Sequence, residues 1–268
     1  MSEEMELARA SVEQDNTIIA AIDLGSNSFH MVVAQVRDGQ PVVVDRLKEM
    51  VRLGAGLDKR NRLSLEARER AFDCLARFGE RVRHLPAGNV RVVGTNTLRM
   101  AKKSTSFRRE AEHLLGHEIE IIAGVEEARL IYRGVARTLS ADDRRRLVVD
   151  IGGGSTELII GSGMQPLLME SVSLGCISMT RSVFADGAIT RERIDAAALL
   201  VAQKLGPLIT KYRRLGWDLC IGASGTARSA AEVINTERGV ADALSSSDLE
   251  GLIDQVVDYG HIDKLKFN

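Results

Sequence analysis

Short hydrophobic runs alternate along the chain with longer amphipathic stretches, and this order predicts an α/β protein. The first run, at 17–23, is rich in β-branched and small hydrophobic residues, and the runs at 30–36 and from Pro41 have the same character. These three segments predict a meander of strands. Hydrophobic residues then recur at helical spacing over 64–85, which predicts a long helix there.

The rest of the chain continues this alternation. Further strands are predicted at 89–94, 118–123, 146–150, 156–161 and near 166–174, and a strand that runs into a glycine-rich turn is predicted at 218–226. Further helices are predicted at 106–116, 125–139, 177–184, 190–215 and 227–235. We expect a flexible tail over 1–16, a first domain over 17–135 and a second domain over 136–268, with the charged segment 141–146 near the boundary.

Two strand-turn-strand segments are alike. AAIDLGSNSFHMVVA and LVVDIGGGSTELIIG share an aspartate at the strand end, a following glycine and a serine. The matched positions are offset by 127 residues and are Asp23 with Asp150, Gly25 with Gly152, and Ser28 with Ser155. A repeat of this length indicates two halves built alike.

The glycines of these segments predict hairpin turns. A dinucleotide-binding loop or a P-loop needs a helix after the glycines, and TELIIG is too short and too rich in β-formers to be one. A P-loop also needs a Lys-Ser/Thr pair, which is missing here. Glycine tolerates positive φ in a hairpin and lets backbone N–H groups approach an anion. A pair of such turns facing each other across a cleft would bind a phosphate, although a glycine-rich hairpin is more often only a hairpin.

Composition limits the classes of function. The net charge is −1 over 268 residues, so the whole chain has no general affinity for polyanions, and no nucleic-acid partner is expected. No apolar run approaches the ~20 residues that a membrane helix needs, and the acidic start is unlike a signal peptide. Cys74, Cys176 and Cys220 are scattered, which favours reduced thiols in the cytoplasm over disulfides or a zinc site.

Five motifs in order resemble one family. IDLGSNSFHMVVA, VVGTNTLR, AGVEEARLIYRGV, VVDIGGGSTELIIG and IGASGTARS are similar to the exopolyphosphatase and guanosine pentaphosphate phosphatase family, within the actin, sugar-kinase and heat-shock ATPase superfamily. The resemblance runs from about Thr17 to the last residue. It implies two ribonuclease H-like domains with mixed β-sheets flanked by helices, and an active site in the cleft between them.

The resemblance also implies a set of acidic residues. Glu127 matches the general base that activates water, and Glu126 lies beside it. Asp150 and Glu157 resemble the acidic pair that handles the metal or its hydration shell, and Asp23 is similar to a further acid of the same site. The expected cofactor is Mg²⁺, or Mn²⁺, because several carboxylates would repel a polyanionic substrate without a cation.

Phosphate-binding residues follow from the same resemblance. Arg99 matches an arginine that approaches the substrate phosphates, a contact that suits a guanidinium. The two turns and a third glycine-rich turn supply the remaining candidates, which are Gly25, Ser26, Asn27, Ser28, Gly153, Gly154, Ser155, Gly222, Ser224, Gly225 and Thr226.

Structural alternatives exist for most of these residues. Without the resemblance, Glu126 and Glu127 would be read as a solvated helix start, because acids there favour the helix dipole. The two aspartates can serve as turn formers, and Arg99 can pair with a carboxylate. His30 is expected to pack or hydrogen-bond at a strand start rather than to bind metal. The basic runs at 144–146 and 211–214 are expected to be solvated, although they could extend a phosphate track.

The expected activity is removal of terminal orthophosphate from inorganic polyphosphate. The third glycine of GGGSTEL favours this branch of the family, and the alternative substrate is guanosine pentaphosphate. A non-catalytic phosphate- or nucleotide-binding module, an actin-like assembly module and a sugar kinase are the competing classes. A homodimer is possible. The chain stops where members of the family continue, so the second domain is expected to be incomplete.

Overall fold

The computed structural model describes residues 16–140, 142–238 and 243–266. All but the last residue of the expected tail over 1–16 lies outside them. Contacts between residues are concentrated within two compact units, of which unit 1 ends at Ile122 and unit 2 begins at Ala123. Each unit is a mixed β-sheet with helices, as the α/β class predicts. None of the described helices is long and apolar enough to span a membrane.

Unit 1 contains a five-stranded sheet in the order β3-β2-β1-β4-β5. The strands are β1 (Ile18–Leu24), β2 (Phe29–Arg37), β3 (Gln40–Glu49), β4 (Val90–Gly94) and β5 (Glu120–Ile121). The predicted meander is confirmed, since β1, β2 and β3 pair antiparallel, while β4 lies parallel to β1. The strand predicted at 118–123 is reduced to two residues, because β5 pairs with only the last two residues of β4.

Helices cover the buried face of this sheet. They are α1 (Leu65–Val82), α2 (Asn96–Met100) and α3 (Thr105–Leu115), and two short 3-10 helices lie at Leu53–Gly56 and Ala87–Asn89. Ser64 caps α1 by accepting a hydrogen bond from the Ala67 amide. Alternate residues of the strands, such as Leu24 and Phe29, are fully buried in the core with Phe78 and Leu115.

Unit 2 contains a four-stranded sheet in the order β8-β7-β6-β9, within the described residues. The elements are α4 (Gly124–Arg137), β6 (Arg145–Ile151), β7 (Thr156–Ser162), β8 (Gln165–Val172), α5 (Cys176–Val183), α6 (Arg191–Leu215), β9 (Leu219–Ala223), α7 (Ser224–Arg238) and α8 (Ser246–Tyr259). Side chains alternate between the two sheet faces, so that Val148 and Ile159 pack against α4 while Leu147 and Ile160 pack with Tyr212 of α6.

The structure confirms that the halves are built alike. In both, three antiparallel strands are followed by a strand parallel to the first. The pairing of the second and third strands shifts between Val33 and Ala34 in unit 1 and between Ile160 and Gly161 in unit 2. These positions differ by the same 127 residues as the sequence repeat. A bulge at equivalent positions is a feature that internal duplication explains.

Helix α4 lies with unit 2, whereas the sequence placed its residues with the first domain. Ala128, Tyr132 and Ala136 recur on one face of α4 and are buried against the sheet of unit 2. The division between units therefore falls at Ile122, earlier than the expected boundary at 135. The cleft expected between the two domains remains a prediction.

Two other expectations differ from the structure. The segment at 224–226 is the start of α7 and not a turn, because Ser224 leaves the strand with a φ of 65° and the helix begins at once. Arg146, predicted to be solvated, is 2% exposed and donates to the Ser140 carbonyl and to Asp142. It therefore joins the end of the α4 segment to β6.

Candidate active site

The turn between β6 and β7, residues 152–155, directs backbone N–H groups away from helix α5. The Gly152 carbonyl accepts from the Cys176 amide at 3.0 Å, and the Gly153 carbonyl accepts from the Ile177 amide at 2.9 Å. In a trans peptide the N–H of the next residue points opposite to the carbonyl. The amides of Gly153 and Gly154 therefore point away from α5, as an anion-binding turn requires.

The equivalent turn in unit 1, residues 25–28, is built in the same way. The Ser26 carbonyl accepts from the Gly54 amide at 2.8 Å, and the Asn27 carbonyl accepts from the Arg52 amide at 2.7 Å. The following amides, of Asn27 and Ser28, thus point away from the 3-10 segment. Ser26 is buried, and its hydroxyl accepts from Thr97 at 2.8 Å, which fixes the turn against α2.

The reason for glycine in these turns is close approach and not positive φ. Neither Gly25 nor Gly152 has a positive φ, so that part of the sequence interpretation was wrong. A Cβ at Gly25 would lie 2.8 Å from the Ser28 carbonyl oxygen, and one at Gly152 would lie 3.1 Å from the Ser155 oxygen. The first turn therefore closes too tightly for a larger residue at Gly25, whereas a Cβ at Gly152 would be in an unusually close contact with the Ser155 oxygen.

Three carboxylates beside the second turn interact through their charges, and we call Glu127, Asp150 and Glu157 the acid cluster. Asp150 and Glu157 lie opposite each other in the β6–β7 register. Strand periodicity places them on the sheet face that α4 covers. Glu157 is 1% exposed, and the hydroxyl of Ser171 on β8 donates to it at 2.8 Å.

Burial and like charge shift the acid cluster toward protonation. Burial raises the pKa of Glu157 to about 7, and the charges of Glu127 and Asp150 add to the rise, against hydrogen bonds from Ser171 and Ser155. Burial also raises the pKa of Asp150, and Ser224 opposes this rise. Neighbouring carboxylates whose pKa values are raised by burial and like charge are typical of a site that binds a cation.

The neighbouring acids of α4 have different surroundings. Glu126 forms a two-bond ion pair with Arg129, one turn along the helix, at 2.7 Å. Glu127 precedes the buried Ala128 and lies one turn before Ile131, which packs on the unit 2 sheet. Its charge acts on Glu157. Of the two, Glu127 is the residue whose charge acts on a buried acid of the cluster. The catalytic role of both Glu126 and Glu127 remains a prediction.

Metal-free protein should lose stability as the pH rises through the range in which Glu157 ionises. Below the ordinary pKa of 4.5, Glu157 is protonated both folded and unfolded. Between there and about 7 only the unfolded chain releases the proton, so the free energy of unfolding falls with pH, by on the order of 3 kcal/mol in total. Denaturation in a chelator at about pH 5 and about pH 8 measures this loss.

Glu157→Gln should remove that part of the pH dependence, since the amide cannot ionise. Glu69→Gln, which changes an exposed carboxylate on α1, is the matched control and should behave like the wild type. Equal pH dependence in the wild type and Glu157→Gln would contradict the raised pKa.

Two equivalent turns and an acid cluster, seen in the structure, support the same assignment as the five ordered motifs. The model of the Ppx/GppA phosphatase family matches residues 32–268. The chain belongs to this family.

Relatives of known sequence and structure agree with that assignment. A guanosine-5'-triphosphate,3'-diphosphate pyrophosphatase of Aliivibrio fischeri is 44% identical over 246 residues, which are 92% of this chain and 49% of that protein. An exopolyphosphatase-like crystal structure is 29% identical with a TM-score of 0.81, over 92% of this chain and 79% of that one. The crystal structure of an exopolyphosphatase from Cytophaga hutchinsonii is 27% identical with a TM-score of 0.79, over 90% of this chain and 80% of that one.

The similar structures confirm the fold class as that of the actin-like ATPases. The chain spans about half the length of the curated relatives it matches. The activity of the whole protein is therefore a matter for proposal.

The structure gives the positions of the other candidate site residues of this Ppx/GppA family member. Arg99, on α2 of unit 1, donates to the Ile122 carbonyl at 2.8 Å, so a backbone contact fixes its guanidinium. Asp23 lies at the end of β1, opposite His30. Gly222 is the fourth residue of β9, and a Cβ there would lie 2.8 Å from that of Ala227, so it permits close packing of α7. Gly225 and Thr226 belong to the first turn of α7.

A metal site of the magnesium type fits the acid cluster. Mg²⁺ is commonly held by one or two carboxylates, with waters and substrate oxygens completing the octahedron. Asp150 and Glu157 are such a pair. No group of three or more His, Cys, Asp or Glu side chains within the described ranges could hold a metal on its own. The donor set therefore suits a weakly ligated hard cation and not a closed zinc site.

Two supporting residues were missed by sequence reasoning. Ser171 holds Glu157, and Gly175 lies against the second turn at a distance that excludes any side chain. Ser224, named among the phosphate-binding candidates, donates to the Ile151 carbonyl at 2.8 Å from a left-handed conformation. The backbone strain at Ser224 is typical of a functional site. The motif SVSLGC after a predicted strand offered only a weak signal for the first two.

Proposed function

We propose that this chain carries the catalytic half of a hydrolase that removes a terminal phosphate from a phosphoanhydride chain. The observation that carries the proposal is the acid cluster next to the 152–155 turn, with Glu157 buried at its centre, in a member of the Ppx/GppA phosphatase family. The turn offers N–H donors for phosphate oxygens, and the cluster offers both a cation site and a carboxylate for water. Phosphoryl transfer needs these two contributions, positioning and neutralisation of charge.

We propose guanosine 5′-triphosphate 3′-diphosphate as the preferred substrate, with cleavage at its 5′ end. Curated relatives at 44% identity carry the name of a pyrophosphatase for this nucleotide. The structures named as exopolyphosphatases are less similar in sequence. The third glycine of the second turn was expected to favour polyphosphate, but the comparisons support the nucleotide alternative better. Polyphosphate remains the second candidate because the chemistry at the terminal phosphate is the same.

Glu127 is the proposed general base. Its carboxylate, in the first turn of α4, would accept a proton from a water while the water oxygen bonds to the terminal phosphorus. The bond from that phosphorus to the bridging oxygen breaks, the bridging oxygen stays on the shortened nucleotide, and the terminal phosphate is released as orthophosphate. Asp150 and Glu157 would hold Mg²⁺, which when bound neutralises phosphate charge. Ser171 keeps the Glu157 carboxylate in place during this step.

The proposal assigns roles to further residues and includes further properties of the protein. Arg99 and the 25–28 turn would bind phosphate oxygens, Glu126 would assist Glu127, and Asp23 would join the metal site. Mn²⁺ as a substitute cation, a homodimer and a cytoplasmic location are also expected.

Orthophosphate release tests the proposal. The chain is incubated with the nucleotide, with long-chain polyphosphate and with ATP, each across a titration of Mg²⁺. We expect metal-dependent release that is fastest from the nucleotide. Faster release from polyphosphate would overturn the substrate assignment, and binding without release from any of the three would favour a phosphate-binding module.

A further inference from the structure

The two halves carry rows of different charge at equivalent positions beside their turns. In unit 2 the row across β6, β7 and β8 is Asp150, Glu157 and Ser171. In unit 1 the row across β1, β2 and β3 consists of Asp23, His30 and Lys48. His30 thus occupies the place of Glu157, and the offset is again 127 residues.

The turn serine acts on the central residue of the row in both halves. The Ser28 hydroxyl oxygen lies 2.8 Å from His30 Nε2. In unit 2, Ser155 is among the groups that lower the pKa of Glu157 by hydrogen bonding, against the effect of burial. When Glu157 is ionised, its carboxylate can only accept, so a serine hydroxyl bonded to it gives up its single proton. An imidazole N–H can instead donate to Ser28, which leaves the Ser28 proton for another acceptor.

We propose that His30 is a positioning residue that donates through Nε2 to the Ser28 hydroxyl and so directs the Ser28 proton to a phosphate oxygen. The inference rests on the proposed function, because it deepens the role of the 25–28 turn. The turn then supplies one hydroxyl donor in addition to the amides of Asn27 and Ser28. In this account His30 and Lys48 of the unit 1 row serve the anion, and the acids of the unit 2 row serve the cation.

Lys48 is consistent with this division. It lies beside His30 on the same sheet face, which is opposite to the face that Phe29 and Met31 bury in the core. Its ammonium adds positive charge to the row where the equivalent position in unit 2 has the neutral Ser171. The row beside the first turn is therefore less repulsive to a phosphate than the row beside the second.

The test uses four single variants and one double variant of the whole chain. His30→Gln keeps a donor near the Nε2 position, His30→Leu removes it, and His30→Glu copies the arrangement of unit 2. Ser28→Ala removes the hydroxyl, and Ser28→Ala with His30→Leu closes the cycle. Calorimetry measures the Kd for inorganic tripolyphosphate, and steady-state assays measure KM and kcat for the nucleotide.

We expect His30→Leu to raise both the Kd and the KM about tenfold while kcat changes little, since one hydrogen bond to a charged acceptor is lost. His30→Gln should stay within about threefold of the wild type, and His30→Glu should bind more weakly than His30→Leu. In the Ser28→Ala background, His30→Leu should have no further effect, because the residue acts through that hydroxyl.

Any one of three results would overturn the inference. The Kd for tripolyphosphate could be unchanged in His30→Leu, or His30→Gln could bind tripolyphosphate as weakly as His30→Leu. The third is that His30→Leu raises the Kd by the same factor in the wild type and in the Ser28→Ala background. Thermal melting checks that each variant is folded. Because tripolyphosphate binding is measured without turnover, the expected pattern of Kd values in a chain that releases no phosphate would refute the hydrolase while supporting the role of His30.

Discussion

Glu127→Gln is expected to lower kcat by about 10²–10⁴-fold while the KM changes by less than about threefold. Glutamine keeps the size of the side chain but cannot accept the proton of the attacking water. The same change removes a negative charge that acts on Glu157, so the metal-free variant should be more stable than the wild type at about pH 8. Steady-state kinetics and chemical denaturation measure the two effects.

The matched control is Glu66→Gln. Glu66 is an exposed acid in the first turn of α1, so its replacement removes the same favourable interaction with a helix dipole. We expect its kcat to equal that of the wild type. Turnover by Glu127→Gln within a few-fold of this control would show that another group activates the water. Comparison with Glu126→Gln then shows which of the adjacent acids matters more.

Gly175→Ala is expected to destabilise unit 2 by about 3 kcal/mol and to abolish phosphate release. Gly175 is buried, and a Cβ there would lie 2.4 Å from the Gly153 carbonyl carbon and from the Gly154 amide nitrogen. These atoms are backbone, so the 152–155 turn must move. The bonds from the first amides of α5 to the turn would then be lost, and with them the direction of the Gly153 and Gly154 amides.

Gly134→Ala is the control for this substitution. Gly134 lies inside α4, and a Cβ there meets nothing within 4 Å. Alanine favours a helix interior over glycine by about 1 kcal/mol, so this variant should be more stable than the wild type. Thermal melting and phosphate release are measured on both variants. An active and stable Gly175→Ala would contradict the close packing of α5 on the turn.

The sequence predicted the turns well because their signals are local. An aspartate, a glycine and a serine at fixed spacing between two β-rich runs define a hairpin without reference to the rest of the chain. The rejection of a P-loop was confirmed by the antiparallel pairing of β6 and β7. What the spacing could not reveal is that tight closure against a serine carbonyl, and not φ, requires glycine at Gly25 and favours it at Gly152.

Features that depend on packing between distant segments were harder to predict. The burial of Glu157 arises because α4 covers that face of the sheet, and no local pattern around TELIIG indicates it. The difference between Glu126 and Glu127 depends on the helical phase of α4 relative to the sheet. Helix α8 was missed although Ser245 and Asp248 form a capping box at its start, a signal that the sequence does contain.

Hydrolysis of guanosine 5′-triphosphate 3′-diphosphate in water enriched in ¹⁸O tests the central claim most directly. If a water activated by Glu127 attacks the terminal phosphorus, each released orthophosphate carries one oxygen from the solvent, and the nucleotide product carries none. Release of pyrophosphate, or solvent oxygen in the nucleotide product, would place the attack on another phosphorus and contradict the proposed arrangement of turn, acid cluster and base.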